Sequence, residues 1–170
     1  MIRPKYLLID GYNIIFYWKD LKKLAKLSLD HARTRLTEML SNFSGFTQES
    51  IILVFDAHKV NGGIENVEHK NNIITVYTKE KETADHYIER SAKVLAKKYS
   101  VRVATSDATE QIIIIGSGAF VVSALLFEEE VKGVLGKISE MAQTRPIKNN
   151  LLINNLDKDT MEKLEQMRLG

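Results

Sequence analysis

Four aspartates stand at or just beyond the ends of short apolar runs. Asp10 closes Tyr6-Leu7-Leu8-Ile9, and Asp56 closes Ile51-Ile52-Leu53-Val54-Phe55. Asp85 follows Ile73-Ile74-Thr75-Val76-Tyr77 by a short loop, and Asp107 follows Val101-Arg102-Val103-Ala104 after two intervening residues. If the runs are parallel strands of one sheet, these carboxylates gather at its carboxyl edge, where open α/β sheets bind ligands. Crowded carboxylates repel one another and favour a divalent cation among them. Such a cluster points to Mg²⁺- or Mn²⁺-assisted hydrolysis of a phosphate ester, in which the ion activates water and stabilises charge on the leaving oxygen.

The residues beside each aspartate sharpen the expectation. Asn13, one turn beyond Asp10, is placed to hold a water, a substrate phosphate or the Asp10 carboxylate. Gly11 admits a sharp backbone turn. Asp56 acts on a cation directly or through water, or caps the next segment. Ser106, before Asp107, is able to hydrogen-bond a carboxylate or a phosphate, and Glu82 lies just outside the cluster. Each position has a plain structural reading beside the chemical one. Asp10-Gly11 is also an ordinary turn sequence. Asp85 in the first turn of a helix stabilises its dipole by roughly 0.3–1 kcal/mol. Ser106 and Asp107 both make good helix caps. The joint placement of the four acids carries the argument.

An acidic cluster repels phosphate, so a phosphate-bearing substrate, a nucleic acid among them, would need cations nearby. Arg33, Arg35, Lys59, Lys79 and Lys81 fall near the proposed edge, and Lys137, Arg145 and Lys148 fall later in the chain. Tyr12, Tyr17 and Trp18 are available to stack on bases, or to pack in the core. His58 is a lone loop histidine with no metal-site spacing around it.

The elements that must position these groups are legible as an alternation. The stretch at 6–9 reads as a strand leading into a loop at Asp10-Gly11. From Ser28, a plausible cap, Ala32, Leu36, Met39, Leu40 and Phe43 recur at helical spacing. Residues 51–55 form a continuous apolar run, as in a strand covered on both faces. Asn61-Gly62-Gly63 reads as a turn or loop, and 73–78 as a strand. Thr83 caps a helix that turns Ala84, Ile88, Leu95 and Tyr99 inward and Arg90, Lys93 and Lys97 to water. Residues 101–104 make another strand. Asp107-Ala108-Thr109-Glu110 has the form of a capping box, so Gln111 to Ile115 continue as helix to Gly116 despite four consecutive isoleucines. Ser123 caps a helix to about Met141. Strands alternating with helices imply a central, mostly parallel sheet flanked by helices.

The chain has 170 residues, 44% hydrophobic and 27% charged, which suits one globular domain. It has no cysteine, which excludes disulfides and thiolate chemistry. Its formal charge of +2 is too small to mark a strongly basic nucleic-acid binder. No run approaches the ~20 apolar residues of a membrane span, and the start lacks a signal-peptide core, so a cytoplasmic location without membrane contact is expected. Pro146 lies in the one credible linker. The expected division is a compact α/β domain at 1–143 and a linker with a helical tail at 144–170, where Leu156, Met161, Leu164 and Met167 have helical spacing.

Four segments occur in order: Leu8-Ile9-Asp10-Gly11-Tyr12-Asn13-Ile14-Ile15, Val54-Phe55-Asp56-Ala57-His58, Thr78-Lys79-Glu80-Lys81-Glu82-Thr83-Ala84-Asp85 and Ala104-Thr105-Ser106-Asp107-Ala108-Thr109-Glu110-Gln111. Together they resemble the YacP-type NYN-domain proteins, a family with bacterial ribosome-dependent endoribonucleases acting in the A site. The resemblance spans about residues 6–135. It implies a PIN-like fold and metal-dependent cleavage of mRNA during translation, with Asp10, Asp85 and Asp107 as the acidic positions, Asn13 beside them and no organic cofactor. Two positions depart from the family pattern: Val121 stands where arginine is common, and Lys81 where glycine often precedes Glu-Thr-Ala-Asp. The rival within the same fold is a catalytically inactive RNA- or ribosome-binding module. An aspartyl phosphatase wants a second aspartate two positions past the first, and that position holds Tyr12.

Overall fold

The structure, a computed structural model, describes residues 3–57 and 66–144. Its elements run β1 (Lys5–Asp10), α1 (Gly11–Tyr17), α2 (Lys19–Leu27), α3 (Leu29–Thr47), β2 (Ser50–Phe55), β3 (Asn66–Lys70), β4 (Ile73–Tyr77), α4 (Ala84–Leu95), β5 (Ser100–Ala104), α5 (Ala108–Gly116), β6 (Phe120–Val122) and α6 (Ala124–Thr144). The six strands form one sheet in the order β3-β4-β2-β1-β5-β6. Every pairing is parallel except that of β3 with β4. The expected α/β class with a mostly parallel sheet is what the chain adopts.

The apolar runs are continuous because both sheet faces are covered. Along β1, Leu7 and Ile9 point into a core shared with Ile14, Leu36, Phe43 and Phe127, whereas Leu8 points into a second core with Ile88, Val101, Val103 and Ile114. One strand thus glues two helical layers, and all three of its central side chains are fully buried. Burying a side chain of this size contributes about 1.5–3 kcal/mol. The inner helix faces are those expected: Ala32, Leu36, Leu40 and Phe43 on α3, and Ala84 and Ile88 on α4.

Helix starts follow the capping residues. The Ser28 hydroxyl accepts from the backbone amide of His31, the Thr83 hydroxyl from that of His86, and the Ser123 hydroxyl from that of Leu126, each three residues on. The Asp107 carboxylate accepts from the Glu110 amide at 3.1 Å. The reciprocal half of the capping box is not made, because the Glu110 side chain turns inward to the Thr105 hydroxyl instead. The isoleucine run is helical, as the cap requires, and leaves Ile112 and Ile115 exposed.

Two local expectations need correction. No loop follows β1, and helix is not delayed until Ser28: α1 and α2 fill residues 11–27. Asp10 is the cap of α1, accepting from the Asn13 amide at 3.2 Å. Gly11 is therefore helical, and its role is close approach. A Cβ there would lie 2.3 Å from the Phe55 ring. Strands β3 and β6 gave no signal, since β3 is exposed along its whole length and β6 has only three residues.

A half-buried arginine ties the layers together away from the carboxyl edge of the sheet. Arg102 of β5 donates from Nε and Nη2 to the two Glu49 carboxylate oxygens at 2.9 and 2.8 Å, and from Nη1 to Glu130 of α6. The chain divides into two units, Met1–Leu135 and Gly136–Gly170. Beyond Thr144, the end of α6, the expected linker and tail lie outside the described residues.

Replacing Gly11 with alanine should overpack this contact and destabilise the fold by about 1–3 kcal/mol, read as a lower urea midpoint. Trimming the ring as well, in Gly11→Ala with Phe55→Leu, should recover part of that loss. An unchanged midpoint in the single variant would refute the close-approach reading.

Candidate active site

Parallel pairing in register brings the carboxyl ends of four strands to one edge. Asp10 pairs with Val54, Ile9 with Ala104 and Phe55 with Tyr77, so β1, β2, β4 and β5 end level with one another. A cavity of about 480 Å³ opens there. Asp10, Asn13, Asp56, Asp85, Ser106 and Asp107 all line it, together with Tyr12, Phe16, Tyr17, Thr83 and Ala84. The sheet edge thus collects all four aspartates that the sequence singled out. Among the described residues, none of the lining side chains is basic.

The tightest group of carboxylates includes a residue that the sequence reading took only as a cap. Carboxylate oxygens of Asp10, Asp85 and Glu110 lie within 4.8 Å of one another. Glu110 is 2% exposed. Its Oε2 accepts from the Thr105 hydroxyl at 2.7 Å, and its Oε1 has no partner among the described residues. Burial pushes the Glu110 carboxyl up to about 8, and the charges of Asp85, Asp10 and Asp107 add to the rise, against the lowering effect of the Thr105 hydroxyl. An unpartnered buried carboxylate oxygen costs stability, and a hard cation held by oxygen ligands would satisfy it. The donor set therefore fits a divalent metal ion. Asp107 lines the same cavity, with one oxygen engaged as the cap of α5. The signal for Glu110 was present in its spacing: three residues past Asp107, it lies one helical turn further on the same face.

Asn13 is held in one orientation. Its Oδ1 accepts from the Ser106 amide and the Ser106 hydroxyl, both at 3.0 Å. A backbone N–H only donates, so the oxygen must be the end that faces Ser106. The amide's NH₂ end is left as a donor in a cavity otherwise rich in acceptors. The sequence left Asn13 a water, a phosphate or the Asp10 carboxylate as partner; its side-chain oxygen is tethered to Ser106, across the sheet edge.

The other candidates lie outside this lining. Glu82 pairs with Arg90 at 2.8 Å. Arg33 pairs with Asp30 and donates from Nη1 to the Tyr12 hydroxyl at 2.9 Å. Arg35 stands 3.8 Å from Glu38. Lys79 and Lys81 are exposed between β4 and α4, and Lys137 is exposed on α6. His58, Lys59, Arg145 and Lys148 lie outside the described residues. Tyr12 and Trp18 are buried, 3% and 2% exposed, and so are not stacking platforms. Trp18 donates to the Ala124 carbonyl and packs on Phe127. Tyr17 is half exposed at the cavity, and so is Phe16, which the sequence reading passed over.

Comparison with known proteins agrees with this geometry. The sequence pattern of the YacP-like NYN domain matches residues 7–169, beyond the stretch that carries the four motifs. The YacP protein of Bacillus subtilis strain 168 is 34% identical over 165 residues, 96% of each chain. The crystal structure of Rae1 (YacP) from Bacillus subtilis superposes with a TM-score of 0.76 at 34% identity, covering 97% of this chain and 95% of that one. A point mutant of the same protein gives 0.70 at 35% identity over 84% and 86%. No helix among the described residues is long and apolar enough to cross a membrane. Homology over nearly the full length, on a PIN-like fold with acids collected at the sheet edge, supports a nuclease-like role connected with RNA, and the chain belongs to the YacP-like NYN-domain family.

Proposed function

We propose that the protein is a metal-dependent endoribonuclease that cuts mRNA in association with the translating ribosome. The observation that carries this reading is the trio Asp10, Asp85 and Glu110, with its one unpartnered buried oxygen. These three, with Asp107 and Asp56 alongside, would hold Mg²⁺ or Mn²⁺. When bound, such an ion supplies Lewis acidity for water activation and for charge on a phosphodiester.

The chain's own groups do the rest. Asn13, fixed by Ser106, directs its NH₂ at a non-bridging phosphate oxygen and orients the scissile group. Tyr17 and Phe16 offer half-exposed rings to the flanking bases. Among the described residues no histidine or cysteine lines the cavity, and none of these offers a side chain of that kind to draw a proton from the RNA's 2′-hydroxyl. A cavity without basic lining and a net charge of +2 attract free RNA weakly. A ribosome that presents the mRNA would supply the missing position and affinity.

Asp10→Asn and Asp85→Asn should abolish cleavage of a translated reporter mRNA with little change in melting temperature, since asparagine caps α1 as well as aspartate does. Mapped products should carry 5′-phosphates; 2′,3′-cyclic phosphate ends would contradict hydrolysis. Asn13→Asp keeps an acceptor for Ser106 but loses the donor, and should lower kcat about a hundredfold. Wild-type turnover in that variant would remove Asn13 from the chemistry.

Glu110 makes a pH-dependent expectation. Its carboxyl ionises near 4.5 in the unfolded chain and near 8 in the cation-free fold. Over that window the folded state holds more protons, so stability in EDTA should fall as pH rises from about 4.5 and level off above about 8. Mn²⁺ should recover the loss, most strongly at the alkaline end. Glu110→Gln should flatten the slope and blunt the Mn²⁺ effect in thermal unfolding; an unaltered slope would contradict it.

A further inference from the structure

We propose that the groove between α3 and the β3–β4 hairpin is a binding site for the single-stranded RNA that leads into the acidic cavity. This rests on the nuclease reading above and says where the rest of the substrate lies. The groove has a volume of about 680 Å³ and shares no lining residue with the acidic cavity.

Its position is the first argument. Three rings stand in a row across the end of the sheet. Tyr12 lines the acidic cavity, Tyr77 lines the groove, and buried Phe55 lies between them, with centroids 5.0 Å and 5.7 Å away. Arg33 crosses the same wall, lining the groove while its Nη1 donates to the Tyr12 hydroxyl. A strand lying over Tyr77 is thus a single ring away from the wall of the acidic cavity.

Charge and hydrogen-bonding capacity are the second. Arg33, Arg35 and Lys70 face Asp30, Glu38 and Glu68, three cations against three anions. A balanced groove exerts little net pull on any charged ligand, the RNA backbone included, so contacts to the bases must supply most of the affinity. It suits groups that are neutral and carry donors and acceptors side by side, which is what a nucleobase edge offers. Exposed Lys70, and exposed Arg35 at 3.8 Å from Glu38, stand on the groove wall where phosphates between bases would pass.

The third is the aromatic floor. Tyr77 is only partly buried, and its other side is supported by Phe55. Burial raises its hydroxyl above the usual value, so the group stays a donor at neutral pH. A ring held rigidly in this way is a platform for an unstacked base. Bases inside a duplex do not present that face, so the ligand is single-stranded.

Binding can be separated from cutting in the full-length chain carrying Asp85→Asn. A fluorescein-labelled decanucleotide of oligouridylate, followed by anisotropy, should bind saturably. Tyr77→Leu should weaken it about tenfold while Tyr77→Phe holds near the parent. Lys70→Glu and Arg35→Glu, on exposed positions that the fold does not need, should each weaken it several-fold and flatten the salt dependence. Absent binding by the parent, affinity unchanged in Tyr77→Leu and both charge variants, or tighter binding of the same sequence as a duplex would each overturn the proposal. RNA cleavage by the wild-type protein alongside unchanged affinities would sink the groove and spare the nuclease. Tyr77-dependent binding by a wild-type protein that cuts nothing would do the reverse.

Discussion

The structure depends on one unfavourable arrangement: a buried glutamate held against two other carboxylates with one oxygen facing no donor. Asp10, Asp85 and Glu110 come from three separate segments, and like charges at such a separation resist assembly. Only the surrounding fold keeps them there. Leu7, Leu8 and Ile9 bury fully in front of Asp10, and α4 and α5 are anchored in the core by Ile88 and Ile114. Hydrophobic burial therefore offsets an electrostatic cost concentrated at the sheet edge. In the cation-free protein the cost is lowered by protonation of Glu110; with a divalent ion it would be turned into a binding energy.

Several of the same side chains serve the fold and the site together. Asp10 starts α1 and Asp107 starts α5, each with one carboxylate oxygen on a backbone amide. Both carboxylates also line the cavity. Ser106 fixes Asn13 from across the sheet, and Thr105 supports both the Asp107 amide and Glu110. The helix caps are thus part of the geometry that aims the acids. This is why asparagine rather than alanine is the informative replacement at those positions.

Much of this was legible in the residues. The strands that bear on the site carry continuous apolar runs, and the aspartates after them mark the edge. The Asp107 cap outweighed the β-propensity of four isoleucines, and α5 is helical. What stayed hidden had physical reasons. Glu110 reads as a cap partner because sequence spacing does not reveal which way a side chain turns. Gly11 reads as a turn because its crowding with Phe55 comes from a strand over forty positions away. Tyr12 and Trp18 read equally as stacking rings or as core, and only the packing of the helices over them decides for core. Strand β3 carries no buried face and so no alternation to detect.

The most direct measurement is anomalous scattering from crystals of the wild-type protein grown with Mn²⁺. The account predicts a peak within ligand distance of carboxylate oxygens from Asp10, Asp85 and Glu110, with the formerly unpartnered Glu110 oxygen turned to it. Full-occupancy Mn²⁺ elsewhere on the protein, with no peak among these three carboxylates, would contradict it.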